Sequence, residues 1–125
     1  MNSYKRAVDY FVGQISFDDN QTIKLLDVGA GTGLYTLAIL KRFPNSRITA
    51  IDINENMVRR LKSNLKSRSL TNSVKTILSD ARYPISEIEG DEYDLIVAGG
   101  LLEHVDPDLT VKNLCRYLRV NGLFF

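Results

Sequence analysis

The stretch Leu25-Leu26-Asp27-Val28-Gly29-Ala30-Gly31-Thr32-Gly33-Leu34-Tyr35-Thr36 restricts the fold of this chain more than any other part of it. An apolar run carrying one aspartate leads into glycines at 29, 31 and 33, and an apolar run of helical character follows. That is the pattern of a buried parallel strand turning sharply into a helix. Glycines in such a turn take backbone angles closed to other residues and let a ligand lie against the main chain. The amides that open the following helix are expected to point towards that ligand. A binding site is therefore the first functional expectation.

The remaining elements follow from periodicity and punctuation. Val8, Phe11, Val12 and Ile15 recur at helical spacing, which predicts an amphipathic helix from about Tyr4 to Ile15. Ile23 to Val28 is the first strand, and Gly33 to about Phe43 a helix burying Leu34, Leu37, Ala38 and Leu40, stopped by Pro44-Asn45. Arg47 to Asp52 is the second strand. Asn54 is the expected N-cap of a helix reaching Ser67, with Met57, Val58, Leu61 and Leu65 inward. Its outer side carries Arg59, Arg60, Lys62, Lys66 and Arg68, a solvated basic face before it is a phosphate- or RNA-binding patch. Val74 to Leu78 is the third strand, 82–92 a loop with one short turn, and Tyr93 to Ala98 the fourth strand. Asp106-Pro107 reads as an N-cap with proline in the first turn of a helix that runs to about Leu118 and buries Val111, Leu114, Cys115 and Leu118. Asn121-Gly122 is read as the turn into a last strand at 123–125. Strands alternating with helices imply a parallel sheet covered on both faces.

At 125 residues this is one domain, with 44% hydrophobic and 25% charged residues, ordinary values for a globular protein. A net charge of +1 gives no electrostatic footprint for nucleic acid or an anionic membrane. No apolar run approaches the roughly 20 residues of a membrane-spanning helix, and the N-terminus lacks the apolar core of a signal peptide. Cytoplasm is the expected location. Cys115, the sole cysteine, has no partner for an internal disulfide and reads as a small apolar helix residue.

Asp27, Asp52 and Asp80 stand at or near the C-terminal ends of three strands. Ligands of open α/β sheets bind outside those ends, where the strand order reverses, so the three acids can line one crevice beside the glycine turn. Asp52 comes 23 positions after Gly29, the separation of an acid that accepts hydrogen bonds from a ribose diol. A dinucleotide site wants Gly-x-Gly-x-x-Gly; here the glycines fall at 29, 31 and 33, and the sixth position is Leu34. Asp27 beside the turn would repel a pyrophosphate and favour a cation. S-adenosylmethionine, with a sulfonium, an ammonium and no phosphate, meets that condition better than NAD.

The string from Leu26 to Gly33 resembles the first motif of class I S-adenosylmethionine-dependent methyltransferases. The resemblance continues through Ala50-Ile51-Asp52-Ile53-Asn54, Ser79-Asp80-Ala81, Tyr93-Asp94-Leu95-Ile96-Val97, Leu102-Glu103-His104-Val105 and Leu118-Arg119-Val120-Asn121-Gly122-Leu123, in the family's order and spacing. It implies a Rossmann-like three-layer sandwich whose parallel sheet runs 3-2-1-4-5. It also implies residue roles. Backbone around Gly29, Ala30, Gly31 and Gly33 would contact the methionine half, with Asp27 near its ammonium. Asp52 would bind the ribose hydroxyls, and Ile53 and Met57 would lie against the adenine. Asp80 would accept from the adenine amino group, the Ala81 amide would reach a ring nitrogen, and Ala98 and Gly99 would pass close to the methionine moiety.

Ala98-Gly99-Gly100-Leu101 stands where relatives acting on base or glutamine amides carry an Asn/Asp-Pro-Pro-aromatic motif, which disfavours those subclasses. With Leu102-Glu103-His104-Val105 the chain resembles the broad group acting on small metabolites, quinone precursors or lipids, which implies a small-molecule acceptor. His104 is a candidate general base or acceptor-orienting group, against the plainer reading of a residue packed at the crevice rim. Glu103 and His104 alone are too thin a ligand set for a metal, and none is expected. The family's sheet continues past its fifth strand with two more, one antiparallel. Here apolar residues still run at Phe124-Phe125. The expectation is a core lacking those last two strands, either truncated or completed by self-association along the exposed strand. A module that holds the cofactor without turnover is the alternative to an enzyme.

Overall fold

A computed structural model of the chain describes residues 3–15, 22–99 and 106–125. Its elements run α1 (Ser3–Gln14), β1 (Lys24–Val28), α2 (Leu34–Arg42), β2 (Arg47–Asp52), α3 (Glu55–Ser67), β3 (Val74–Leu78), a 3-10 turn (Ser86–Ile88), β4 (Tyr93–Val97), α4 (Pro107–Cys115) and β5 (Leu118–Phe124). The five strands form one sheet of order β3-β2-β1-β4-β5, and every neighbouring pair is parallel. The expected Rossmann-like topology is therefore the observed one.

Alternation along the strands sends side chains to two separate cores. Leu25, Ile48, Ala50, Leu95 and Val97 join Val8, Phe11, Ile39, Leu61 and Leu65 on the face covered by α1, α2 and α3. Leu26, Val28, Ile51 and Ile96 join Ile85, Ile88, Leu114 and Tyr117 on the face covered by the 3-10 turn and α4, and Tyr93, at the start of β4, packs with them. Two faces covered by helices explain why β1 and β4 read as nearly unbroken apolar runs. The chain leaves β1 for β2 and β3 on one side and then crosses back to β4. The β1–β4 boundary is thus the switch point, where the C-terminal strand ends open into a crevice.

Helix starts follow their caps. The Asn54 side chain accepts the amides of Asn56 and Met57, and Asp106 accepts that of Leu109 ahead of Pro107. Gly33 opens α2 in the left-handed region, at φ 100, with no side-chain cap.

Four expectations need correction. The core side of α2 is Tyr35, Thr36, Ile39 and Leu40; Leu37 and Ala38 are partly covered, and Leu34 is exposed. This helix packs against both the sheet and α1, so its buried face is rotated from the one that leucine spacing suggests. Second, α4 ends at Cys115, not near Leu118, and Cys115 is exposed. The Tyr117 carbonyl accepts the Tyr93 amide at 2.7 Å and its hydroxyl accepts the Ile85 amide at 2.9 Å, which turns the chain into the sheet. Third, Leu118 pairs with Tyr93 in β5, and Val111 is only half-buried. Fourth, Asn121-Gly122 lies within β5 rather than before it. There the register jumps between Tyr93 and Leu95, and Asn121 takes φ 67, a bulge rather than a turn between elements. Arg119 ties this bulged strand back to β4 through Asp94 at 2.7 Å. Among the described residues no helix is long and apolar enough to cross a membrane.

Candidate functional site

The glycine turn is folded onto the end of β2. The amides of Gly29 and Ala30 both donate to the Ile51 carbonyl, at 2.8 and 3.0 Å, and the Gly33 amide donates to the Ala30 carbonyl at 3.0 Å. The Gly31 amide donates to Asp52 Oδ2 at 2.9 Å. Four of the turn's amides, those of Gly29, Ala30, Gly31 and Gly33, are therefore engaged within the protein. With these amides engaged, the turn does not offer them to an anion; the amides that open α2, which were expected to aim at a ligand, are a separate set beginning at Leu34.

Its shape depends on left-handed backbone. Gly29, Gly31 and Gly33 take φ 69, 58 and 100. A Cβ on Gly31 would meet nothing within 4 Å, so that position looks onto open space where a ligand can approach. A Cβ on Gly33 would come within 2.5 Å of Leu61 Cδ1, so the third glycine serves helix packing.

Asp27 lies beneath the turn, 1% exposed, with Thr36 Oγ1 donating to its Oδ2 at 2.7 Å. Burial pushes its pKa up to about 6, opposed by the hydrogen bonds from Thr36 and assisted by the charge of Asp52. The acid reaches the crevice through its field rather than by contact. Asp52 is half-buried and held at both oxygens, by Gly31 on Oδ2 and by the Asn54 amide on Oδ1 at 2.9 Å. A carboxylate so oriented keeps acceptor positions for a diol.

A narrow crevice opens beside these groups, lined by Val28, Gly29, Ile51, Asp52, Ile53, Ser79, Asp80, Ala81, Arg82 and Thr110. It brings Gly29, Asp52, Ile53, Asp80 and Ala81 together, five of the residues singled out from sequence. Ile53 is 62% exposed, an apolar side chain at the mouth of the crevice. Met57 is half-buried one turn into α3 and does not line it. Ala98 is buried with its amide donating to the Phe125 carbonyl at 2.8 Å, and Gly99 lies against the Tyr35 ring. Glu103 and His104 fall outside the described residues. Sequence reasoning passed over Thr36, Thr110 and Arg82. The spacing of Asp80 and Arg82, acid and base two apart in a turn, was the one available signal.

Arg82 holds Asp80 tightly. Nη2 donates to Oδ2 at 2.7 Å, Nε to Oδ1 and Oδ2 at 3.1 and 3.2 Å, and the backbone amide to Oδ1 at 3.0 Å. The hydrogen bonds and charge of Arg82 hold Asp80 below the usual carboxylate range, against a smaller effect of burial. No cluster of histidine, cysteine and acids suited to a metal occurs among the described residues.

Sheet order, helices on both faces and a crevice at the switch point define a Rossmann-like α/β domain. The chain belongs to the Methyltransferase domain family, whose profile matches residues 25–122. It is 32% identical over 100 residues to the malonyl-[acyl-carrier protein] O-methyltransferase of Paenibacillus sp. (strain JDR-2), a match covering 79% of this chain and 36% of that relative. The chain thus spans about a third of that relative's length. Coclaurine N-methyltransferase, solved with N-methylheliamine and SAH, superposes with a TM-score of 0.80 at 22% identity, covering 97% of this chain and 34% of that one. The [4+2]-cyclase SpnF superposes with a TM-score of 0.75 at 26% identity, covering 92% of this chain and 41% of that one.

Proposed function

We propose that this chain binds S-adenosylmethionine at the switch-point crevice and supports methyl transfer to an acceptor oxygen. The observation that carries the reading is the closed glycine turn. With the amides of Gly29, Ala30, Gly31 and Gly33 engaged internally, and with Asp27, Asp52 and Asp80 around it, the site suits a cationic nucleoside and opposes a pyrophosphate.

The roles are those that the family resemblance implies. Asp52 accepts from the two ribose hydroxyls, its plane set by Gly31 and Asn54. Asp80 accepts from the adenine amino group, the Ala81 amide donates to a ring nitrogen, and Ile53 at the mouth of the crevice gives the base an apolar cover. Gly29, Ala30, Gly31 and Gly33 let the methionine half lie against the main chain, along a path that Ala98 and Gly99 continue. Asp27 offsets the ammonium charge from below. The bound sulfonium supplies an activated methyl group, and the protein contributes position and exclusion of water.

For the acceptor, the relative's name supports a carboxyl group carried as malonyl on an acyl carrier protein. A carboxylate is already ionised at neutral pH and needs no base, which leaves His104 an orienting role. A second reading is that the chain holds the cofactor without transferring its methyl group; the likeness to SpnF, a [4+2]-cyclase, favours it to the extent that this fold also serves a reaction other than methyl transfer. Radiolabelled S-adenosylmethionine with a malonyl carrier protein and a panel of small carboxylic acids separates the two. Label in the malonyl ester supports the first. Calorimetric binding of SAH with no label in any acceptor supports the second, and binding of NAD in place of SAH overturns both.

A further inference from the structure

Arg82 has no role in the proposed cofactor contacts, yet it lines one end of the crevice. Its guanidinium grips Asp80 side-on through Nε and Nη2, a two-pronged geometry that lysine lacks. The turn that carries the pair is pinned from behind. Asn113 of α4 donates its Nδ2 to the Ala81 carbonyl at 2.9 Å and to the Tyr83 carbonyl at 2.7 Å, on either side of Arg82. The guanidinium carbon also lies 5.3 Å from the centroid of the Tyr83 ring. Asp80 is thereby fixed in position, in plane and in charge.

We propose that Arg82 is a positioning residue that makes Asp80 selective for a six-amino purine over a six-oxo purine. The proposal rests on the cofactor reading above. An ionised carboxylate is an acceptor only, so it takes a hydrogen bond from an exocyclic amino group and repels a carbonyl oxygen in the same place. A carboxylate free to swing could instead turn to the ring N–H of hypoxanthine, and the discrimination would fade. The clasp prevents that rotation. Oδ2 makes one short bond, to Nη2, and shares Nε only at 3.2 Å, which leaves it acceptor capacity for the base.

The test is calorimetry of SAH and S-inosylhomocysteine with the wild-type chain, Arg82→Met, Arg82→Lys, Asp80→Asn and the Arg82→Met/Asp80→Asn double variant, with melting midpoints as the check on folding. The wild type is expected to prefer SAH. Arg82→Met and Arg82→Lys should each weaken SAH about tenfold and narrow the preference, the size of one charge-assisted hydrogen bond. Adding Arg82→Met to Asp80→Asn should change affinity by less than about twofold, because the guanidinium acts through that acid. Unchanged affinity and preference in Arg82→Met, tighter SAH binding in it, or full function in Arg82→Lys would each overturn the proposal. Equal weakening of both nucleosides, repeated in the Asp80→Asn background, would reduce Arg82 to a structural tether. Failure of the wild type to bind either nucleoside would instead sink the cofactor reading itself.

Discussion

The Gly31 amide donates to Asp52 Oδ2 at 2.9 Å, so the tip of the turn after β1 is tied to the carboxylate that closes β2. Oδ1 of the same group accepts the Asn54 amide at 2.9 Å. One side chain thus shapes the glycine turn and orients the start of α3 while lining the crevice.

Replacing that group should separate its two duties. Asp52→Ala leaves two backbone donors without their acceptor, costing about 2 kcal/mol of stability, and should weaken SAH about 100-fold. Asp52→Asn keeps one acceptor oxygen and should lose less of both. Thermal melts and calorimetry measure the pair. Unchanged SAH affinity in Asp52→Ala would remove this acid from the site.

Asp27 makes stability depend on pH. Its pKa is about 6 in the folded chain against 3.8 for the free group, with burial the main cause. The folded state therefore holds more protons than the unfolded state between those values. The contribution is fully present below pH 3.8 and is lost as pH rises through about 6. Two pKa units correspond to about 3 kcal/mol. Urea melts between pH 4 and 7 should show the wild type losing that much relative to Asp27→Asn. Parallel curves would mean that the acid is not buried as described.

The glycines of the turn should fail in different ways. Gly33→Ala drives a Cβ into Leu61 at φ 100 and should destabilise the fold by about 2 kcal/mol, read by the melting midpoint. Gly31→Ala meets no neighbour and pays only the left-handed backbone cost of about 1 kcal/mol, but it adds a methyl group on the open side. Its loss should appear in SAH affinity. A Gly31→Ala chain that binds as the wild type does would put the ligand elsewhere.

At the end of β4, a Cβ on Gly99 would come within 2.7 Å of Tyr35 Cε2. The ring cannot retreat easily: it is buried, and Phe11 packs edge-on against it at 5.4 Å. Gly99→Ala should destabilise by about 1–3 kcal/mol, and Tyr35→Leu should recover part of that loss in the double variant. Additive losses would show that the two sites do not touch.

Much of this was legible in the residues. Helix α3 and strands β2 and β3 lie where caps and periodicity put them, because Asn54, Asp52 and the alternating apolar residues act over a few positions. The acids at the strand ends were legible for the same reason. The boundary between α4 and β5 was not. Helical spacing runs on through Leu118, and only the pairing of Leu118 with Tyr93, 25 residues earlier, makes it a strand residue. The buried face of α2 was missed because two neighbours compete for it.

By itself, then, the sequence determined the alternation of strands and helices, the sharp turn at Gly29–Gly33 and the placement of Asp27, Asp52 and Asp80 at strand ends, since each is encoded by residues close in the chain. Tertiary structure decided that the turn's amides face inward to Ile51 and Asp52, that Asp27 is sealed under Thr36, and that the turn carrying Arg82 and Asp80 is pinned by Asn113. Those are questions of which distant donor meets which acceptor. A hydrogen bond between residues far apart leaves no periodic trace in the chain; it exists only once the sheet has brought them together.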